Sequence, residues 1–177
     1  KIAFIEGHGE LMPVYTASIE AALHEYYDVE HVRINGQLHA LSNEEPAANK
    51  VSTPVITNKY KAMIIAKPDS AFAKDEKDKF VIDQFVMRGG KVLWLIDPVY
   101  ATMYSLRMKE NSVALANDFN LDDMLFNYGV RLNPTLVVDI NSLPIPVVVD
   151  QKGNQKLMPW LFFPVIMPGS DIPVVRN

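Results

Sequence analysis

Apolar positions along this chain fall into short dense runs separated by stretches of helical spacing, and the alternation predicts strands and helices taking turns. Ile2 to Ile5 is one such run, broken by Gly7 and Gly9 as a buried strand ending in a loop would be. Tyr15, Ile19, Ala22, Leu23 and Tyr26 then recur on one face of a helix begun near Pro13, where the missing N–H costs nothing. A strand is expected at Val29 to Ile34. From Asn35 to Thr57 the periodicity is weak, and a long connection is expected.

The segment from Ala62 to Pro98 carries the clearest pattern. Met63 to Ala66 reads as a strand, Asp75 as a helix cap followed by Asp78, and Val81, Ile82, Phe85 and Val86 as a buried helical stripe. Gly89-Gly90 stops the helix. Val92 to Ile96 is continuously apolar, the mark of a strand covered on both faces in a parallel sheet. Asn120 is expected to cap a short helix ending near Gly129, with strands at Val130 to Val138 and Ile145 to Asp150. Pro144 and Pro146 confine the last of these to an edge or a bend. The tail around Trp160 is fenced by prolines and should be extended.

These elements predict one α/β domain over residues 1–177, with a mostly parallel sheet flanked by helices in three layers. Composition narrows its chemistry. The chain has 17 basic and 21 acidic residues, a net charge of −4, and no run of Lys and Arg. That speaks against a nucleic-acid footprint or an electrostatic membrane anchor. Zero cysteines exclude a thiol nucleophile, a disulfide framework and a thiolate zinc site. No apolar run reaches the roughly 18 residues needed to cross a bilayer. The opening at KIAFIEG and the close at PVVRN suggest a piece of a longer protein, with any anchor lying outside it.

Ligands of open parallel sheets bind beyond the carboxyl ends of the strands. Three such ends are expected here: Glu6-Gly7-His8-Gly9-Glu10, Lys67-Pro68-Asp69, and Asp97-Pro98. Glu6, His8, Glu10, Lys67 and Asp97 are therefore the candidate ligand-binding residues. The plain alternative is that the first loop merely turns tightly and caps a helix, while Asp97 caps the backbone before Pro98. No phosphate-cradling glycine motif and no G-x-S-x-G elbow occurs, and Ser70, Ser105, Ser112 and Ser142 fall in expected loops. His24, His31 and His39 are expected at polar positions. No metal or cofactor is expected. Trp160, Phe162 and Phe163 are either ordinary core or an exposed patch that meets a partner.

The stretches KIAFIEGHGE, YYDVEHVRINGQL, KDKFVIDQFVMRGGKVLWLIDPV and LDDMLFNYGVRLNPTLVVD, with the closing WLFFPVI and PVVRN, resemble the gliding-motility GldG family. That family belongs to the auxiliary subunits of ABC-type transport systems and is labelled substrate-binding. The resemblance implies a flavodoxin-like or class-I glutamine-amidotransferase-like fold. It also implies a position on the periplasmic face of the cytoplasmic membrane, in an anchored protein working beside a permease and a separate ATPase. Active amidotransferases place a Cys at the elbow after the third strand; here Lys67-Pro68 stands there, so that activity is not expected. The resulting expectation is a non-catalytic accessory domain that binds a partner protein or a transported ligand. Its rival is a carbohydrate- or ester-directed hydrolase using Glu6, His8, Glu10 and Asp97.

Overall fold

A computed structural model describes residues 1–45, 54–72, 77–101, 113–148 and 153–165. Two compact units divide the chain, Lys1–Pro134 and Thr135–Asn177. The first is built on β1 (Ile2–Glu6), α1 (Pro13–His24), β2 (Val29–Arg33), β5 (Ala62–Ala66), α2 (Lys77–Met87) and β6 (Lys91–Leu95). Two short antiparallel pairs join these: β3 (Ser42–Glu45) with β4 (Val55–Asn58), and β7 (Val99–Tyr100) with β8 (Leu115–Ala116). A third helix, α3, spans Asp122–Asn127.

The four long-range strands form an all-parallel sheet in the order β2-β1-β5-β6. Alternate residues of each strand serve opposite faces, as the pleat requires. Ala3, Ile5, Met63 and Ile65 pack with Val81, Ile82 and Phe85 of α2 and Met124 and Leu125 of α3. Ile2, Phe4, Ile64 and Ala66 form a smaller cluster on the other face, joined by Leu23 of α1. The expected α2 stripe is thus the main core, and replacing a fully buried Phe85 with Ala would cost about 3–5 kcal/mol. Helix α2 stops where expected, with Gly89 at φ +84 and the Gly90 N–H donating to the Phe85 carbonyl.

Several expectations are corrected. The α1 stripe is only partly buried: Tyr15 is 67% and Tyr26 79% exposed, Leu23 packs on the sheet cluster, and Thr16 is the buried residue of that helix. The reason is polar. Thr16 hydrogen-bonds Glu20, and Glu20 reaches His31 on β2, so this line of the helix meets the sheet. β6 is not covered on both faces, since Leu93 and Leu95 are exposed beside the register positions Ile64 and Ala66. Asn120 does not cap α3, whose N-cap is Leu121; it adopts φ +56 and donates its amide to the Phe72 carbonyl. Residues 130–138 form no strand, and the connection after β2 contains the β3–β4 pair. The proposed cap Asp75 lies outside the described residues.

The second unit, in its described residues, is an antiparallel ribbon of β9 (Ser142–Val148) and β10 (Gln155–Pro164). Pro144 and Pro146 sit on β9, where a two-stranded sheet leaves every strand an edge. Among the described residues no helix is long and apolar enough to cross a membrane.

Candidate functional site at the carboxyl edge of the sheet

Strand order reverses between β1 and β5, because β2 lies to one side of β1 and later strands to the other. Loops leaving the carboxyl ends there diverge onto opposite faces and leave a crevice. Such a crevice is present, with a volume of about 640 Å³. Gly9, Glu10, Lys67, Asp69, Asp97 and Asn117 supply its polar wall; Met12, Tyr15 and Tyr100 are its exposed apolar rim.

The five residues singled out in the sequence separate into three groups. Glu6 turns away from the crevice, its carboxylate 2.9 Å from His31 Nδ1 and accepting from Arg33 Nε at 3.2 Å. Register explains this, since Glu6 lies directly beside Arg33. Lys67 and Asp97 meet at the ends of β5 and β6, with Nζ 3.0 Å from Oδ2, and both are exposed to the crevice. Lys67 does so from φ +53, a left-handed conformation that disfavours a side chain. Its N–H donates to the Leu95 carbonyl at 2.7 Å, which ties this turn to the adjacent strand.

His8 and Glu10 form the third group, completed by Asp78 of α2. The His8 ring lies 3.1 Å from Glu10 through Nδ1 and 3.1 Å from Asp78 through Nε2. It also stacks on Phe72 at 3.8 Å between centroids. The backbone follows the side chain: His8 N–H donates to Glu10, while the His8 carbonyl accepts from the Asp69 and Ser70 N–H groups. Asp78 further accepts from the Gly36 N–H at 2.6 Å. Gly9 is required here because it has φ +75 and a Cβ would run into the Asp69 carboxylate.

Electrostatics of this group are a balance. Burial pushes the His8 imidazole down, but hydrogen bonds and charge from Glu10 and Asp78 outweigh it and leave its pKa above the ordinary value. For Glu10 burial pushes the carboxyl up, and bonds from His8 and the backbone bring it below the usual range. A protonated imidazole donates to both carboxylates at once, which a neutral ring with one N–H cannot do. With both nitrogens occupied, His8 fixes the crevice wall rather than reaching into the crevice. Among the described residues no group of three or more His, Cys, Asp or Glu side chains is arranged to hold a metal ion.

Sequence reading placed Glu10, Lys67 and Asp97 at one edge, and they line one crevice. It missed Asp78, which lies 70 positions from His8, and Asn117, whose amide donates to the Asp97 carbonyl at 2.9 Å. It also missed Tyr100, whose only signal was its position just after a strand end. In the second unit Phe162 and Phe163 are exposed, and Trp160 packs against Phe162 at 5.6 Å between rings.

Neither a curated protein nor a solved structure matches this chain. A family match covers residues 1–177, that of an ABC-type uncharacterized transport system. The chain belongs to that family and is an auxiliary component of ABC transport.

Proposed function

We propose that this chain is a non-catalytic, extracytoplasmic accessory domain of the GldG type, serving gliding motility by docking onto the proteins of its ABC transport system. The observation that carries this reading is the β9–β10 ribbon. Leu157, Leu161, Phe162 and Phe163 are exposed on a ten-residue strand that has one partner strand among the described residues. A two-stranded ribbon is marginal by itself, and several exposed apolar side chains along one support an interface. The permease and the separate ATPase of the same system are the proposed assembly, at the periplasmic face of the cytoplasmic membrane. The test is co-purification of that permease with the full-length protein. Trp160→Ala or Phe162→Ala should reduce capture at least tenfold, and undiminished capture overturns the reading.

A second reading, a transported ligand in the carboxyl-edge crevice, is favoured by the position of that crevice at the reversal of strand order. The same order, β2-β1-β5-β6, supports a flavodoxin-like topology. The hydrolase reading has less support: Glu6 is paired with His31 and Arg33, Asp97 with Lys67, and His8 with two carboxylates. Loss of function in cells on Glu6→Gln and Asp97→Asn would revive it.

A further inference from the structure

The opposite, amino edge of the sheet carries a second crevice, of about 670 Å³, between the starts of β5 and β6 and the end of α2. Lys61, Arg88 and Lys91 line it together with Tyr27 and Gly89-Gly90, and among the described residues no carboxylate does. The backbone sets the cations in a row. Lys61 N–H donates to the Lys1 carbonyl and Lys91 N–H to the Lys61 carbonyl, so three lysines open three adjacent strands about 4.8 Å apart. Lys59 stands beside them. Five of the chain's 17 basic residues thus gather at one edge of a protein whose net charge is −4.

Two acids lie nearby, and both act on the Lys1 end of the row: Asp28 adds its charge at Lys1, and Glu30 is committed. Glu30 meets Lys1 and Lys59 and accepts from the Tyr60 hydroxyl. Among the described residues neither Lys61 nor Lys91 has a carboxylate within ion-pair distance. The Arg88 guanidinium is held by Nε donating to the Asn58 side-chain oxygen at 3.0 Å, which leaves its terminal nitrogens for other acceptors. Cations at this edge also complement the C-terminal end of a helix. At α2, however, the Asn58 amide already caps the Phe85 carbonyl at 3.0 Å, and the Gly89 and Gly90 N–H groups bond Val86 and Phe85. That leaves the charge of Lys61, Lys91 and Arg88 in surplus.

We propose that this amino-edge crevice binds a phosphate-bearing anion, either free or displayed as the headgroup of an anionic lipid. Lysines supply point charges, and the fixed guanidinium supplies a fork of donors. This site lies across the sheet from the crevice described above and does not depend on the docking reading.

Two probes test it on the full-length protein. Calorimetry with pyrophosphate reads the free anion. Sedimentation with vesicles of phosphatidylcholine, with and without about one-fifth phosphatidylglycerol, reads the lipid headgroup. Binding of either phosphate probe, weakening with salt and falling at least tenfold in Lys61→Ala/Lys91→Ala, is the expected result. Which probe binds identifies the source. The double variant Arg33→Ala/Arg131→Ala removes equal charge elsewhere in the same unit and should bind as the parent does. Binding of neither probe, or an equal loss in both double variants, overturns the proposal. Lys61 and Lys91 are exposed and lack ionic partners among the described residues, so an unchanged urea midpoint checks that the variant is folded.

Discussion

Two histidines in this chain are each held between a pair of carboxylates, one inside the protein and one at its surface. His8 joins Glu10 to Asp78 with both contacts at 3.1 Å; His31 joins Glu6 to Glu20 at 2.9 and 3.2 Å. Distances alone would rank them equal. Burial separates them, because the His8 side chain is 6% exposed and that of His31 is 32%. Coulomb attraction at a given distance is roughly fourfold stronger at an effective dielectric of about 20 than in water. The penalty for losing a partner grows in the same direction, since a buried charge left alone has no solvent to turn to. Identical chemistry therefore fixes a loop in one place and decorates a surface in the other.

The sharpest way to break the comparison is Asp78→Ala. It removes the Nε2 partner of His8 and the acceptor of the Gly36 N–H together. We expect a loss of about 3 kcal/mol, read from urea unfolding. A loss under about 1 kcal/mol would put the buried bridge on a par with a surface pair. Gly9→Ala comes next, at about 2 kcal/mol, because it adds left-handed strain to a collision with the Asp69 carboxylate. Asp69→Gly in the same chain should recover part of that loss. If the second substitution recovers nothing, the close approach of Asp69 to Gly9 is not the cause.

Acidity probes the same contrast with a smaller effect. The raised pKa of His8 means its contribution is complete below the unfolded value of about 6.5 and is lost as pH rises through the folded value. Glu10 is lowered, so its contribution is present above the unfolded value and lost as pH falls through the folded one. Urea midpoints should therefore be highest between roughly pH 5 and 6.5. In His8→Gln the decline on the alkaline side should flatten. An unaltered pH profile in that variant would remove His8 as its source.

Much of the fold was legible because the β5–α2–β6 segment carries its own partners. Val81, Ile82 and Phe85 at helical spacing, between two apolar strands and before Gly89-Gly90, can meet only the sheet those strands form. Helix α1 departs from its apolar spacing because Thr16, bonded to Glu20, takes the buried position while Leu23 of the expected stripe packs on the sheet cluster, and side-chain hydrogen bonds of this kind are not encoded in apolar spacing. Asn120 has the residue type of a cap, yet its amide serves Phe72, 48 positions earlier. The candidate site divides in the same way. Lys67 and Asp97 were found because strand ends are local features, whereas Asp78 and the row of Lys1, Lys61 and Lys91 exist only once distant segments pair.

The smallest expected effect completes the contrast. His31→Gln removes an imidazole that touches Glu6, Glu20 and the Phe4 ring, at 5.6 Å between centroids in the last case. Glu6 keeps Arg33 and Glu20 keeps Thr16, so neither carboxylate is stranded. Solvent reaches the site, and Gln retains part of the packing on Phe4. The loss should be about 0.5 kcal/mol or less in dilute buffer and should vanish near 1 M NaCl, where screening acts within about 3 Å. The cost of Asp78→Ala should survive that salt, because the His8 and Asp78 side chains are 6% and 15% exposed and solvent ions screen such a pair far less. Equal salt sensitivity in the two variants would mean that burial does not distinguish the bridges.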